Sequence, residues 1–330
     1  IVQRQMYITG GIGASGILER FTVDYDLPND CNYAESCASI GLAMFGIRMA
    51  NITKDASYID TVERALYNTV LAGIALDGKS FFYVNPLEVW PDNCMERTSK
   101  EHVKPTRQKW FGVACCPPNI ARTLASMGQY IYSVGETALY VHLFISNEVC
   151  IEMETGEVKV SLETKFPFEN LVRIKVSHVP DGGMTLAVRI PEYAGMYQMT
   201  AKGQLLEYKE EKGYAYLALA QDADISISFE APAKFVRANP KVRADCGKTA
   251  VVKGPLVYCL EEIDNGKNLA ELYVDTEKEI QEVPSELFGG ITELVLQGKR
   301  MEESAWDEKV LYGDHPVKLS DVTLNAIPYA

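Results

Sequence analysis

The sequence predicts a multidomain α+β protein in which a helical part precedes two β-rich units. Up to about residue 137, apolar residues recur at helical spacing, most clearly over 34–50 and 56–76. From Leu139 onward the pattern changes to short alternating runs separated by turns, which is typical of antiparallel β-sandwiches. A linking stretch at 232–246 divides the β-rich remainder. We therefore expect domains at 1–137, 138–235 and 236–330.

The amino-acid composition argues against several classes of protein. The chain has 330 residues, is 47% hydrophobic and has a formal net charge of -13. The acidic balance argues against nucleic acid or an anionic membrane as the main partner. No apolar run reaches the roughly 18 residues that suggest a transmembrane helix. The eight cysteines are too sparse for a small disulfide scaffold, which favours a reduced, cytoplasmic setting with metal-binding or catalytic thiols.

The helical part opens with a glycine-rich stretch at 9–16 and with Glu19 shortly after it. This stretch lacks the spacing and lysine of a phosphate-binding loop, so a loop that approaches a ligand closely is the better interpretation. A turn-rich segment with helix-capping residues at 24–30 leads into the first predicted helix. Residues 81–87 are predicted to be extended. A polar loop at 91–109 follows, and its His102 is predicted to lie at the surface.

Two adjacent thiols, Cys115 and Cys116, stand directly before two prolines and a third helical pattern. Proline is favoured in the first turn of a helix, so the cysteines should lie just ahead of a helix N-terminus. The partial positive charge there favours thiolate, which is both a nucleophile and a metal ligand. The alternative is a pair of buried structural cysteines, because free cysteine is among the most buried residue types.

Glu35 and Cys37 add a carboxylate and a thiol, which makes a Glu-Cys-Cys-Cys set compatible with a tetrahedral zinc site. In a regular helix, residues i and i+2 point about 200° apart. Both can therefore be ligands only where the segment is irregular or at a helix start. The remaining cysteines have no such neighbours and are predicted to be core or incidental residues: Cys31, Cys94, Cys150, Cys246 and Cys259.

Several motifs resemble glycoside hydrolase family 127, the β-L-arabinofuranosidases. Their order and spacing agree over about residues 1–135, and the β-rich remainder agrees in kind. The motifs are Tyr7–Gly13, Asp24–Asp30, Ala34–Ser39, Phe82–Leu87 and Cys115–Asn119.

The resemblance implies part of an (α/α)6 barrel followed by two antiparallel β-sandwich domains. It also implies a retaining glycosidase with a zinc-bound cysteine nucleophile that removes terminal β-L-arabinofuranose from an oligosaccharide or glycoside. Carried over motif by motif, the nucleophile is Cys115, the acid/base is Glu19, and Tyr83 lies in the sugar pocket. Val113 stands where a family relative has another cysteine that is not a ligand. The implied zinc ligands are Glu35, Cys37, Cys115 and Cys116.

Other interpretations remain open. Pocket shape decides the sugar, so a related glycosidase acting on another unusual furanose is one alternative. Zinc could also only brace the fold, either in a non-catalytic carbohydrate-binding protein or in an enzyme that uses Glu19 with a second carboxylate. A homo-oligomer is compatible with the sequence. Because the helical part offers too few helices for an (α/α)6 barrel, we expect an incomplete barrel in residues 1–330 and no competent enzyme from them alone.

Overall fold

The computed structural model describes residues 1–307 and 309–329. A helical segment comes first and two β-rich segments follow. The longer helices begin close to the predicted positions, because their apolar residues recur at helical spacing. The helices are α1 (Ser36–Thr53), α2 (Ser57–Ala65), α3 (Cys116–Ala125), α4 (Gly128–Ile131) and α5 (Glu262–Asn265), with a π-helical turn at Leu66–Val70 after α2.

One buried core holds the helical segment together. Helix α1 packs against α2 and α3 through apolar side chains such as Ile40, Ile59 and Ile120, which are fully buried. The opposite face of α1 leaves Phe45 and Ile52 60% and 75% exposed. The described helices therefore form one packed layer, and one face of α1 is exposed to solvent. The (α/α)6 barrel stays a prediction.

The strands are β1 (Tyr132–Val134), β2 (Ala138–Val141), β3 (Asn147–Met153), β4 (Gly156–Thr164), β5 (Leu171–Ser177), β6 (Met184–Arg189), β7 (Tyr197–Ala201), β8 (Gln204–Leu205), β9 (Lys209–Glu211), β10 (Tyr214–Leu219), β11 (Ala223–Phe229), β12 (Lys234–Val236), β13 (Ala250–Lys253), β14 (Leu256–Leu260), β15 (Leu272–Val274), β16 (Gln281–Ser285), β17 (Ile291–Met301) and β18 (Leu319–Pro328). The two longest strands, β17 and β18, lie near the end of the chain.

The middle segment contains two sheets that share one apolar core. Their strand orders are β1-β2-β6-β10-β9 and β3-β4-β5-β11-β7-β8. Alternate residues of β4 and β5, such as Val160 and Ile174, are fully buried, which is the period-two pattern of a strand with one face in the core. One pair departs from the predicted antiparallel arrangement. Strands β2 and β6 run parallel, because the chain crosses to the other sheet and back between them.

The last segment forms one seven-stranded antiparallel sheet, with the order β12-β13-β14-β18-β17-β15 and β16 paired to β17. The sequence predicts a β-sandwich for this segment. In the described residues, Tyr67 and Phe168 from the two earlier segments pack against the apolar side of this sheet. The core is therefore formed by the strands of this sheet together with Tyr67 and Phe168, and a sandwich in this segment stays a prediction.

A buried ion-pair network joins α2 to the middle segment. The Arg189 side chain, at the end of β6, is completely buried and lies against the carboxylates of Asp60 and Glu63. Tyr193 donates a hydrogen bond of 2.8 Å to Glu63. Burial raises the pKa of Asp60 to about 6, although the positive charge of Arg189 acts in the opposite direction. The network fixes α2 against the β-rich part of the molecule.

We expect Arg189→Met to lower the free energy of unfolding by about 3–5 kcal/mol, because removing the cation leaves two buried carboxylates uncompensated. Denaturant unfolding followed by circular dichroism measures the change. Arg173→Met is the matched control, since Arg173 pairs with Asp224 on the surface and such pairs contribute about 0–1 kcal/mol. Equal effects of the two substitutions would show that the buried network does not hold the segments together.

In the described ranges, none of the helices combines the length and the apolar character that crossing a bilayer requires.

Candidate active site

Helix α1 begins between Glu35 and Cys37, the two residues that could share a metal ion only at a helix start or in an irregular segment. Glu35 is the N-cap residue with an extended backbone (φ -65°, ψ 140°), and it forms an isolated β-bridge with Val84. Cys37 is the second residue of the helix. The change from extended to helical backbone between them removes the 200° separation expected within a helix. Glu35 and Cys37 can therefore direct their side chains toward the same point.

Helix α3 brings the cysteine pair to the same place. Cys115 is its N-cap residue and Cys116 its first residue, with proline in the first turn. The prediction of thiols at a helix N-terminus is confirmed, with the helix starting at Cys116 itself. The partial positive charge of this helix end therefore lies next to the thiols.

Four side chains from these two helix starts form a compact cluster. The ligand atoms of Glu35, Cys37, Cys115 and Cys116 all lie within 4.8 Å of one another. The Sγ atom of Cys116 lies 3.7 Å from that of Cys37 and 3.9 Å from that of Cys115. The Oε1 atom of Glu35 is 3.1 Å from Cys115 Sγ and 3.6 Å from Cys116 Sγ. In the part of the chain that the structure describes, this is the one group of ligand-type side chains close enough to hold a metal ion.

The thiols of the cluster differ in exposure. Cys116 is completely buried, Cys37 is half-buried and Cys115 is exposed. Burial raises the pKa of the Cys37 thiol to about 11, and burial raises the pKa of Cys116 even further above its ordinary value. Such thiols ionise near neutral pH only beside a compensating positive charge. A donor set of three thiols and a carboxylate is therefore suited to a divalent metal ion, with Cys115 at its accessible corner.

Tyr83, the predicted sugar-pocket residue, touches the accessible thiol. Its hydroxyl lies 2.9 Å from Cys115 Sγ. Burial raises the pKa of Tyr83 far above its ordinary range, so its hydroxyl stays protonated and can donate to sulfur. Its ring lies in a small apolar cluster with Phe81 and Cys116, against which Phe111 packs.

Glu19, the predicted acid/base, lies at the end of a short 3-10 turn, Ile17–Glu19. Leu18 and Glu19 both have positive φ, at 60° and 48°, a conformation that non-glycine residues adopt uncommonly. The Glu19 side chain is exposed and accepts a hydrogen bond of 2.7 Å from the Tyr33 hydroxyl. The Tyr33 ring meets the Tyr83 ring edge-on at 6.1 Å between centroids. Two tyrosines therefore connect the predicted acid/base with the predicted nucleophile.

Tyr33 is not among the site residues predicted from the sequence, and His102 is predicted to lie at the surface. The structure makes His102 half-buried, with its ring 5.8 Å from the Tyr33 ring and Nε2 3.1 Å from the carbonyl oxygen of Asn32. One signal was available for Tyr33, because it stands two residues before Glu35 in the loop that leads to α1. No local signal pointed to His102.

Three matches to family descriptions cover nearly the whole chain in order. The GH127 catalytic domain of β-L-arabinofuranosidases matches residues 1–129, the GH127 middle domain matches 138–232, and the family 127 C-terminal domain matches 233–330.

Individual relatives agree with these matches. The chain is 38% identical, over 345 aligned residues, to a non-reducing end β-L-arabinofuranosidase of Bifidobacterium longum subsp. longum. A crystal structure of a GH127 β-L-arabinofuranosidase from Geobacillus stearothermophilus T6 superposes with a TM-score of 0.92 at 45% identity. It covers 99% of this chain and 52% of that one. A second GH127 β-arabinofuranosidase gives a TM-score of 0.87 at 32% identity, with 99% and 51% covered.

The chain spans about half the length of these relatives, since all of it aligns with 51% of the Bifidobacterium enzyme. Along that half, the helical segment with its thiol cluster and both β-rich segments fall within the matched regions. The resemblance inferred from five sequence motifs is thus confirmed over the full chain, which belongs to glycoside hydrolase family 127.

Proposed function

We propose that the chain carries the catalytic groups of a retaining exo-glycosidase that removes terminal β-L-arabinofuranosyl residues from a glycoside or oligosaccharide. The observation that carries the proposal is the exposed Cys115 thiol at the corner of a buried donor cluster, 2.9 Å from the Tyr83 hydroxyl. A site built only to brace the fold has no need of an open corner. The matched relatives named above are β-L-arabinofuranosidases, which supports the choice of sugar.

Zinc is the metal that we propose for the cluster. A tetrahedral ion with bonds of about 2.3 Å to sulfur and 2.0 Å to oxygen separates two sulfurs by about 3.8 Å and sulfur from oxygen by about 3.5 Å. Two of the three sulfur pairs in the cluster, Cys37–Cys116 and Cys115–Cys116, are 3.7 and 3.9 Å apart. Glu35 Oε1 is 3.1 and 3.6 Å from two of the sulfurs. These distances, and a donor set rich in thiolate, favour zinc over hard cations that prefer oxygen.

In the first step, the Cys115 sulfur attacks the anomeric carbon of the sugar and the bond to the leaving oxygen breaks. When bound at the cluster, zinc would supply the positive charge that keeps this sulfur deprotonated near neutral pH. Glu19 gives its proton to the departing oxygen, so the aglycone leaves as a neutral alcohol. The step therefore ends with a thioglycosyl bond to Cys115 and an ionised Glu19.

In the second step, the ionised Glu19 takes a proton from water, and the resulting hydroxide attacks the anomeric carbon. The carbon–sulfur bond breaks and Cys115 leaves as a thiolate. Two displacements at one carbon retain its configuration, as in glycosidases that use a carboxylate nucleophile. Tyr83 donates its hydroxyl toward the Cys115 sulfur, which orients the thiolate for both displacements.

We also propose that residues 1–137 form part of an (α/α)6 barrel, followed by β-rich domains at 138–235 and 236–330. The matches to residues 1–129, 138–232 and 233–330 support these divisions. The exposed face of α1, with Phe45 and Ile52, supports a further helical layer, because monomeric proteins seldom leave large apolar patches in water.

The activity is tested with a panel of 4-nitrophenyl furanosides, and the metal content of the protein is measured in the same sample. We expect hydrolysis of the β-L-arabinofuranoside, with retained configuration in the first sugar product observed by NMR. Faster turnover of another furanoside would assign a different sugar to the same site. Stoichiometric zinc without hydrolysis of any furanoside would instead favour a carbohydrate-binding protein with a structural metal.

The metal site is tested by Cys37→Ser. We expect the substitution to lower bound zinc from about one ion per chain to well below half of that, because a serine hydroxyl stays protonated and is a poor zinc ligand. Metal analysis after dialysis against a weak chelator measures the loss. Cys259→Ser is the matched control, since Cys259 is also a half-buried free cysteine but lies in β14 of the last sheet. Full metal content in Cys37→Ser would show that the site is misassigned.

A further inference from the structure

The exposed Glu19 carboxylate has one partner that restrains it. Glu19 lies on a turn with a positive-φ backbone at the surface, where a glutamate side chain is ordinarily free to adopt several rotamers. The Tyr33 hydroxyl donates to its Oε1 atom at 2.7 Å. Among residues 1–307 and 309–329, no second group forms a hydrogen bond with this carboxylate. The orientation of Glu19 therefore depends on Tyr33.

Tyr33 itself is held rigidly. Its side chain is only 8% exposed, and its ring packs in the apolar cluster that also contains Phe81, Tyr83 and Cys116. Its backbone N–H donates to the carbonyl oxygen of Gly13 at 3.0 Å. A tyrosine fixed by its ring and its backbone loses little further entropy when its hydroxyl forms a hydrogen bond.

His102 lies between Tyr33 and the turn that carries Glu19. Its ring lies 5.8 Å from the Tyr33 ring, and its Nε2 atom lies 3.1 Å from the carbonyl oxygen of Asn32. On its other side, a Cβ added to Gly16 would come within 2.9 Å of His102 Nδ1. The histidine thus fills the space between Tyr33 and the start of the turn, which restricts how the turn can move relative to Tyr33.

We propose that Tyr33 is a positioning residue that orients Glu19 toward the leaving oxygen, with His102 packed behind it. The inference rests on the proposed function and adds a residue to it. By binding Oε1, the Tyr33 hydroxyl leaves Oε2 free to carry the proton that Glu19 transfers. Through its contact with the Tyr83 ring, the same residue sets the position of the acid/base relative to the Cys115 sulfur.

The test is Tyr33→Phe, which removes only the hydroxyl. We expect kcat/KM for an alkyl arabinofuranoside to fall by about 10- to 100-fold, because a poorly placed acid loses much of its effect. For the 4-nitrophenyl arabinofuranoside, whose leaving group needs little protonation, the loss should stay below about 3-fold. Because kcat/KM reports the steps through the first bond cleavage, this contrast isolates the acid function of Glu19.

Tyr258→Phe is the matched control, because Tyr258 is 6% exposed and its hydroxyl donates at 2.9 Å to the carbonyl oxygen of Thr292, in the last sheet. This substitution should leave kcat/KM for both substrates unchanged. A double-mutant cycle adds a second measurement: in a Glu19→Gln background, Tyr33→Phe should cause no further loss. Equal losses of Tyr33→Phe on both substrates, or additive effects in the cycle, would overturn the inference.

The outcomes also separate this inference from the proposed function. Suppose that Cys115→Ser is inactive, and that Tyr33→Phe has the same ratio of kcat/KM between the 4-nitrophenyl and alkyl arabinofuranosides as the unaltered protein. In that case only the role of Tyr33 is wrong. If Cys115→Ser stays active, the proposed nucleophile is wrong, and the contrast between the two substrates still decides whether Tyr33 orients Glu19.

Discussion

Cys115→Ser is expected to reduce turnover of a β-L-arabinofuranoside by about 10³-fold or more, since removing a nucleophile from an enzyme commonly costs that much. Cys115 is the exposed thiol of the cluster, whereas Cys116 is buried and cannot reach a sugar in solvent. A serine hydroxyl stays protonated near neutral pH and cannot replace the thiolate. Initial rates with the 4-nitrophenyl arabinofuranoside measure the loss.

Cys150→Ser is the control for this substitution, because Cys150 is an exposed free cysteine in β3, outside the cluster. It should retain full activity. Mass spectrometry of the protein after treatment with a slow substrate gives an independent result, in which the sugar is expected on the peptide that contains Cys115. A sugar trapped on another residue, or more than a tenth of the original rate in Cys115→Ser, would contradict the assignment.

The helical part was predictable because its signals are local. The apolar spacing over 34–50 and 56–76 corresponds to α1 and to α2 with its continuation, and the prolines after Cys116 correspond to the start of α3. The π-helical turn at Leu66–Val70 was not predicted. There Asn68 bonds the backbone of Pro255 and Val257 at 2.9 and 2.8 Å, a contact with the last sheet that no local pattern could reveal.

The β-rich part was predictable in kind but not in arrangement. Alternation identified strands such as β4, β5 and β11, because each buries one face. It could not show that β2 and β6 run parallel or that the last segment forms a single sheet, since both depend on which strands pair across the chain. A strand with one apolar face has the same alternating sequence pattern whichever strands or side chains cover that face.

The candidate site was also only partly predictable from the sequence. The ligand types and the helix-start condition on Glu35 and Cys37 followed from the residues themselves, and the structure meets that condition. Tyr33 and His102 were not predictable, because a tyrosine in a loop before a helix and a histidine in a polar loop are both common in proteins without a site. Only the three-dimensional contacts of Tyr33 with Glu19 and with His102 indicate that these residues belong to the site.

Glu19→Gln is expected to have the next largest effect, and the effect should depend on the leaving group. For an alkyl arabinofuranoside we expect kcat/KM to fall by about 10²- to 10⁴-fold, the usual contribution of a general acid. For the 4-nitrophenyl arabinofuranoside, the first step should be affected much less. Glutamine keeps the size of the side chain and its hydrogen bond from Tyr33, so the change isolates loss of the proton.

The second step gives Glu19→Gln a further signature. Without a carboxylate to activate water, the sugar bound to Cys115 should be released slowly, so the 4-nitrophenyl substrate should show a burst of nitrophenol before a slow steady state. Glu154→Gln, at an exposed position in the turn between β3 and β4, is the control and should show no such burst. Equal losses of kcat/KM for the two substrates, together with no burst, would mean that another carboxylate supplies the proton. Glu19 would then be an exposed residue that Tyr33 happens to bind.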